Sequence, residues 1–225
     1  NSYYGGIIYD VHCYDSNTAL IVSSKIQKTT NGGINWVIKN YESTGRAFFI
    51  NNTIYLFSTL GVIIKSTDIG ETWTYYEFTD IHFKSIFFIN ETTGLAGDFR
   101  YVPHIYKTIN GGVNWSLIYT SPYNVEISKM FFTDSLYGFA KGDDYLMKTT
   151  NGGYNWIYTV PPGFSSFYFL NKNTGYISSY PICKTTNGGL NWFAQNMEQN
   201  SGLYNIYIVY AIYFICCAGI SARVY

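Results

Sequence analysis

The stretch Lys184-Thr185-Thr186-Asn187-Gly188-Gly189-Leu190-Asn191-Trp192 decides the fold, because near copies of it recur along the chain. They run from Lys28 to Trp36, Lys65 to Trp73, Lys107 to Trp115, Lys148 to Trp156 and Lys184 to Trp192, and they hold all five tryptophans. Reduced to fixed positions, each reads Ser/Thr-x-Asn/Asp-x-Gly-x-x-Trp. The five sets are Thr29, Asn31, Gly33, Trp36; Ser66, Asp68, Gly70, Trp73; Thr108, Asn110, Gly112, Trp115; Thr149, Asn151, Gly153, Trp156; and Thr185, Asn187, Gly189, Trp192. Asn or Asp accepts hydrogen bonds from backbone N–H groups two or three residues on, which closes a tight turn. The hydroxyl two residues earlier holds a second backbone group. Gly supplies a positive φ that a side chain resists. Trp then heads the next strand and packs back over the turn. Burying one indole removes about 150–250 Å² from water, worth roughly 4–6 kcal/mol gross. Each copy is expected to be a self-locking bend between two strands.

Successive tryptophans are 37, 42, 41 and 36 residues apart. A period of about 40 with four short strands per unit is the mark of a β-propeller blade. A second periodic feature precedes each bend: an alternating apolar run, a polar turn, then a strand of small residues. It reads Val11–Asp15, then Ile86–Asn90 leading to Gly94, Met130–Asp134 leading to Gly138, and Phe167–Asn171 leading to Gly175. Period-2 alternation predicts half-buried strands. In the second unit Ala47–Asn51 forms the first strand, and Asn52-Thr53 leaves little room for a turn before Tyr55.

The bends resemble the Asp-box, or bacterial neuraminidase repeat, in the KTTNGGxxW form of the photosystem II assembly/stability factor family and of many secreted bacterial propellers. Asn stands for the usual Asp in four of the five copies. The resemblance implies an all-β propeller of four-stranded antiparallel blades, with the bends as structural turns on the outer edge of each blade, away from any active site. The expected organisation is one domain over 1–225: five blades over 1–202 and a partial sixth over 203–225. That is about six blades, as a complete ring or as a truncated part of a larger one.

The tail is uncharged from Leu203 to Ile220, a length that hydropathy alone would allow for a membrane helix. Its alternating Tyr/Ile run instead predicts strands, with Ile206 and Ile208 in the places of Phe167 and Phe169, so no membrane span is expected. The turn chemistry of Asn171, Asn173 and Gly175 is replaced there by Tyr210, Ile212 and Phe214.

Charged residues make up 12% of the chain, and Lys+Arg balance Asp+Glu at 14 each, which argues against nucleic acid as a partner. The 24 tyrosines are read first as propeller core. Cys13, Cys183, Cys216 and Cys217 fit no zinc spacing, and His12, His82 and His104 form no ligand motif, so neither a metal nor a cofactor is expected. The cysteines are read as buried small hydrophobes. The lysine that opens each bend is read as a strand residue with its stem on the sheet and its head in water.

Binding groups in propellers sit on loops, and the longer loops are expected at Asp98–Tyr106 and Ser121–Glu126. The candidate ligand face is Arg46, Asp98, Arg100, Tyr101, His104, Tyr123, Asp143 and Asp144. Sialidases share the bend and need three arginines on a carboxylate, and this chain has Arg46, Arg100 and Arg223. Xyloglucanase-type glycosidases need two opposed carboxylates, for which Asp98, Asp143, Asp144, Asp80 and Glu126 are the candidates. The primary expectation is a non-catalytic scaffold for protein–protein interaction or assembly, exported to the periplasm, cell surface or medium. The alternative is a carbohydrate-active protein, a glycoside hydrolase or glycan binder, that uses the loop face opposite the bends.

Overall fold

The computed structural model describes residues 8–42, 46–124, 126–195, 203–210 and 213–218, with backbone alone for 40–42 and from 203 onward. Five four-stranded antiparallel sheets follow one another along the chain. The first holds β1 (Asp10–Cys13), β2 (Ala19–Val22), β3 (Lys25–Thr29) and β4 (Val37–Glu42). The second holds β5 (Arg46–Ile50), β6 (Thr53–Phe57), β7 (Val62–Ser66) and β8 (Thr74–Glu77). The third holds β9 (Phe83–Phe88), β10 (Gly94–Asp98), β11 (His104–Thr108) and β12 (Ser116–Thr120). The fourth holds β13 (Ile127–Phe132), β14 (Gly138–Gly142), β15 (Tyr145–Thr149) and β16 (Ile157–Thr159). The fifth holds β17 (Phe167–Phe169), β18 (Gly175–Ile177), β19 (Cys183–Thr185) and β20 (Phe193–Ala194). The tail forms an antiparallel pair, β21 (Leu203–Tyr210) and β22 (Tyr213–Ala218), so the strand reading holds for those residues. Residues 219–225, with Arg223, lie outside the described residues. Among the described residues no helix is long and apolar enough to cross a membrane.

The contacts divide the chain into two compact units, Asn1–Phe99 with Thr108–Trp115, and Arg100–Lys107 with Ser116–Tyr225. In the first unit β1 packs beside β5 and β5 beside β9, and Leu20, Val22, Ile26, Ile54 and Leu56 form a core. In the second, β17 packs beside β21, and Phe139, Leu146, Phe167, Phe169, Ile177 and Cys183 form a core in which Phe139 and Phe169 stack at 3.4 Å.

The small residue that opens the second strand has a packing cause. Gly94, Gly138 and Gly175 pair across the ladder with Phe88, Phe132 and Phe169. The aromatic ring lies directly on the glycine: a Cβ on Gly138 would sit 2.4 Å from the Phe132 ring. The polar turn before each glycine is closed by one acceptor. Asn90 Oδ1 takes the N–H groups of Thr92 and Thr93, Asp134 Oδ1 those of Leu136 and Tyr137, and Asn171 Oδ1 those of Asn173 and Thr174.

The repeated bends join third to fourth strands and share one hydrogen-bond set. Thr29 Oγ1 donates to Asn31 Oδ1 at 3.0 Å and accepts the Gly33 N–H at 2.9 Å. Asn31 Oδ1 accepts the Asn35 N–H at 2.9 Å, four residues on, a longer reach than the two or three expected. Asp68 Oδ1 accepts from both Glu71 and Thr72, and its Oδ2 accepts the Thr72 hydroxyl at 2.6 Å. The glycines at the fixed position have φ of 80° to 94°, as the pattern requires. The residue before each also lies at positive φ, including Ile69 at 55°, which the fixed-position pattern did not foresee. There the N–H is turned toward the polar turn of its own sheet: Gly152 donates to Leu136 O at 2.9 Å and Gly188 to Asn173 O at 2.7 Å. Each tryptophan immediately precedes the fourth strand. Trp73, Trp156 and Trp192 donate Nε1–H to the carbonyls of Gly70, Gly153 and Gly189 at 2.9–3.1 Å.

Two sequence expectations are corrected. Three of the five opening lysines do not leave their heads in water: Lys28 pairs with Glu71 at 2.5 Å, Lys65 Nζ donates to Gly111 O at 2.8 Å, and Lys107 Nζ to Gly152 O at 3.2 Å. Each reaches the bend of the following sheet, whose positive-φ backbone turns a carbonyl or side chain toward it. Cys183 is buried as expected, but Cys13 is exposed near the end of a strand whose residues alternate between partly buried and exposed.

Candidate functional site

The bends occupy one end of each four-stranded sheet. The opposite end carries the turns from second to third strand and from fourth strand to the next sheet, and the candidate ligand residues fall there. Arg46 opens β5, and its Nη1 donates to Lys84 O at 3.0 Å. Asp98 was expected in a loop, but it is the last residue of β10 and fully buried, because β10 is buried along its whole length. His104, also expected in a loop, opens β11, with its ring 6.0 Å from that of Tyr106. Arg100 and Tyr101 do lie in the connection between β10 and β11, and Tyr101 is 82% exposed. Asp143 and Asp144 form the tip of the two-residue hairpin between β14 and β15, where Gly142 pairs with Tyr145 and Asp143 has φ 44°. Arg46 and Asp98 belong to the first unit, and the other six residues to the second.

Within the second unit, the residue that gathers others around it is Tyr123. Its ring stacks on Tyr145 (centroids 5.5 Å, planes 13° apart) and meets Tyr158 edge-on at 4.8 Å. Tyr145 and Tyr158 also meet edge-on, at 5.8 Å and 85°. Beneath the rings runs a hydroxyl network. Tyr158 OH lies 2.9 Å from Ser121 Oγ and 3.1 Å from Tyr119 OH, and Ser121 Oγ donates to Tyr123 O at 2.8 Å. Ser121 also donates its N–H to Pro103 O at 2.9 Å, which ties this loop to the one carrying Tyr101. Burial pushes the Tyr158 hydroxyl well up, with the Tyr119 hydroxyl acting in the same direction and the Ser121 hydrogen bond against it, so it stays a neutral donor. Tyr119, Ser121, Tyr145 and Tyr158 were not singled out from sequence. They lie on three strands and a loop of different sheets, and a high tyrosine count by itself is equally the mark of a propeller core.

A second polar group lies at the same end of the fourth and fifth sheets. Lys129 Nζ donates to Ser166 Oγ at 2.8 Å above the Phe167 ring, and Ser166 N–H donates to Ser178 Oγ at 2.7 Å. Burial draws the ammonium down to about 8. Among the described residues no cluster of three or more His, Cys, Asp or Glu could hold a metal ion. The aromatic group offers ring faces, phenol hydroxyls and an adjacent acid pair, which is chemistry for binding.

No family model and no curated protein matches the chain. Solved structures similar to it include YCF48 bound to a D1 peptide, at TM-score 0.70 and 15% identity over 90% of this chain and 72% of that one. YCF48 from Cyanidioschyzon merolae matches at 0.60 and 16%, over 84% of this chain and 67% of that one. The GH74 xyloglucanase from Xanthomonas campestris matches at 0.72 and 11%, over 94% of this chain and 44% of that one. The chain therefore spans less than half of that enzyme. With the five four-stranded antiparallel sheets, these likenesses establish an all-β propeller fold of about five to six blades.

Proposed function

We propose that this propeller is a non-catalytic scaffold that holds a segment of a protein partner against the loop end of its second unit. The observation that carries this reading is the tyrosine group around the exposed Tyr123, held by Ser121 and Tyr158 beside a loop that presents Tyr101. Three of the five candidate acids support it as well. Asp98 is buried in β10, and Asp143 and Asp144 are neighbours at a hairpin tip rather than two carboxylates set across a cleft for glycoside hydrolysis. The YCF48 structure similar to this chain holds a peptide, and a segment bound to a rigid propeller face is the arrangement proposed here. The repeated bends, in this reading Asp-boxes, serve the scaffold, and an exported setting suits it.

The rival is a glycan-active propeller, favoured by exposed aromatic rings next to acids. Selection of displayed peptides on the immobilised chain, run beside assays for xyloglucan hydrolysis and binding, separates the two. Peptide binding that falls at least tenfold in Tyr123→Ala, with no xyloglucan turnover, is expected. Turnover of xyloglucan that is lost in Asp143→Asn/Asp144→Asn would overturn the scaffold reading.

A further inference from the structure

We infer that the tyrosine group binds an extended, proline-containing peptide with a basic side chain set over the Asp143–Asp144 hairpin. This names the ligand class of the site proposed above and rests on that reading.

Three features of the site select such a ligand. The first is shape. Tyr123 and Tyr145 are nearly parallel, and Tyr158 stands across both at 72° and 85°. The result is a ridged aromatic surface, with Tyr123 itself 47% exposed. Pyrrolidine rings pack against aromatic faces of this kind, and a polyproline II segment reaches them already extended, with little ordering entropy left to lose.

The second feature is hydrogen-bonding capacity. Tyr158 OH is engaged by Tyr119 and Ser121, so the platform beneath is fixed. Among the described residues, neither Tyr123 OH nor Tyr145 OH has a partner in the chain. These two phenols remain to donate to a ligand. A polyproline II segment has no internal hydrogen bonds, so its carbonyls are free to accept them.

The third is charge. Asp143 and Asp144 are exposed and directly precede Tyr145. The nearby Lys141 Nζ donates to the Asp143 backbone carbonyl at 2.5 Å, and among the described residues neither carboxylate takes part in an ion pair. Two adjacent unpaired carboxylates favour a cation on the ligand, and a guanidinium matches them by bidentate geometry. A neutral oligosaccharide would use the rings and leave this charge unmatched.

The test is fluorescence polarisation with four labelled probes. These are a ten-residue peptide carrying two spaced prolines and a terminal arginine, a version with the prolines replaced by alanine, a version with glutamate for arginine, and a xyloglucan heptasaccharide. The proline–arginine peptide should bind at least tenfold more tightly than either altered peptide, and its affinity should weaken with added salt. Tyr123→Ala should reduce binding at least tenfold. Tyr145→Phe keeps the ring and the packing, and should reduce binding several-fold through loss of the hydroxyl. Asp143→Asn/Asp144→Asn should abolish the preference for arginine over glutamate. Equal binding of the proline-free peptide overturns the ligand class while leaving a peptide-binding scaffold standing. Binding of the heptasaccharide alone overturns both.

Discussion

Lys65 Nζ donates a 2.8 Å hydrogen bond to the carbonyl of Gly111, which joins β7 to the bend of the following sheet. Tyr55 OH reaches the same oxygen at 3.3 Å, and the ammonium lies 5.2 Å from the Tyr55 ring. Gly111 can turn its carbonyl there because it sits at φ 68° with the Lys65 head packed against its Cα, where a Cβ would stand 2.8 Å from Nζ. Burial draws the Lys65 ammonium down, and the Glu91 carboxylate opposes the shift. Lys28 with Glu71 and Lys107 with Gly152 repeat the link in the first and second units respectively.

Replacing Lys65 by Met keeps the stem and removes the charged donor. A hydrogen bond from an ionised donor is worth about 1.5–3 kcal/mol. Lys65→Met should lower unfolding stability by about that amount in urea, whereas Lys65→Arg, which keeps a charged donor on a similar stem, should lose less. Equal shifts for the two variants would show that the link does not stabilise the fold.

Gly138 lies under the Phe132 ring with no room for a methyl group. Gly138→Ala should destabilise by about 1–3 kcal/mol through overpacking. Adding Phe132→Leu should recover part of the loss, because the clash is with the ring. A double variant no better than the sum of the two singles would place the strain elsewhere.

Trp156 is 8% exposed and caps its own bend through the Gly153 carbonyl. Trp156→Ala should cost about 3–5 kcal/mol in urea melts. A shift of a few tenths would mean that the indole is not structural.

Lys129 titrates at about 8 in the folded chain against an ordinary 10.5, because burial disfavours its charge. Between those pH values the unfolded chain binds the extra proton, so this residue makes stability rise with pH, by up to about 1.4 kcal/mol per unit. The buried tyrosine hydroxyls act in the opposite sense above about pH 10, since Tyr14 is pushed up to about 12. Comparison with Lys129→Met isolates the lysine: the stability difference between the two proteins should change from pH 8 to 10 and be flat from pH 5 to 7. A difference that is flat throughout would remove the case for a buried ammonium.

Asp68 is held at about 2 rather than 3.8, first by the Thr72 hydroxyl and then by the Thr72 N–H. A depressed carboxylate stabilises the fold above its unfolded value, and that contribution is lost as pH falls from about 4 to 2. Asp68→Asn puts in this bend the residue found in the other four. It removes the acceptor that the Thr72 hydroxyl uses, so it should lower stability near pH 7, with the gap to the parent protein closing as pH falls from about 4 to 2 and the acid unfolding limb shallower. An unchanged acid limb would show that Asp68 gains nothing from ionisation.

The sequence alone determined the local chemistry: five bends, each closed by a hydroxyl, an amide or carboxylate, a positive-φ glycine and a tryptophan within nine residues. Every partner in that set is close in sequence, so the spacing carries the geometry. The strand reading of the Tyr/Ile tail was legible for the same reason, since alternation is a local property. Tertiary structure decided what each sheet does to the next. It turned Lys65 from a solvated side chain into a link to Gly111, 46 residues away. It also buried Asp98, which looked like a loop acid, and gathered Tyr119, Tyr123, Tyr145 and Tyr158 at one end of the second unit. Those contacts depend on which sheet faces which and at what register. A repeat with a period of about 40 residues announces that sheets will stack, but it does not say which side chains the stacking brings together.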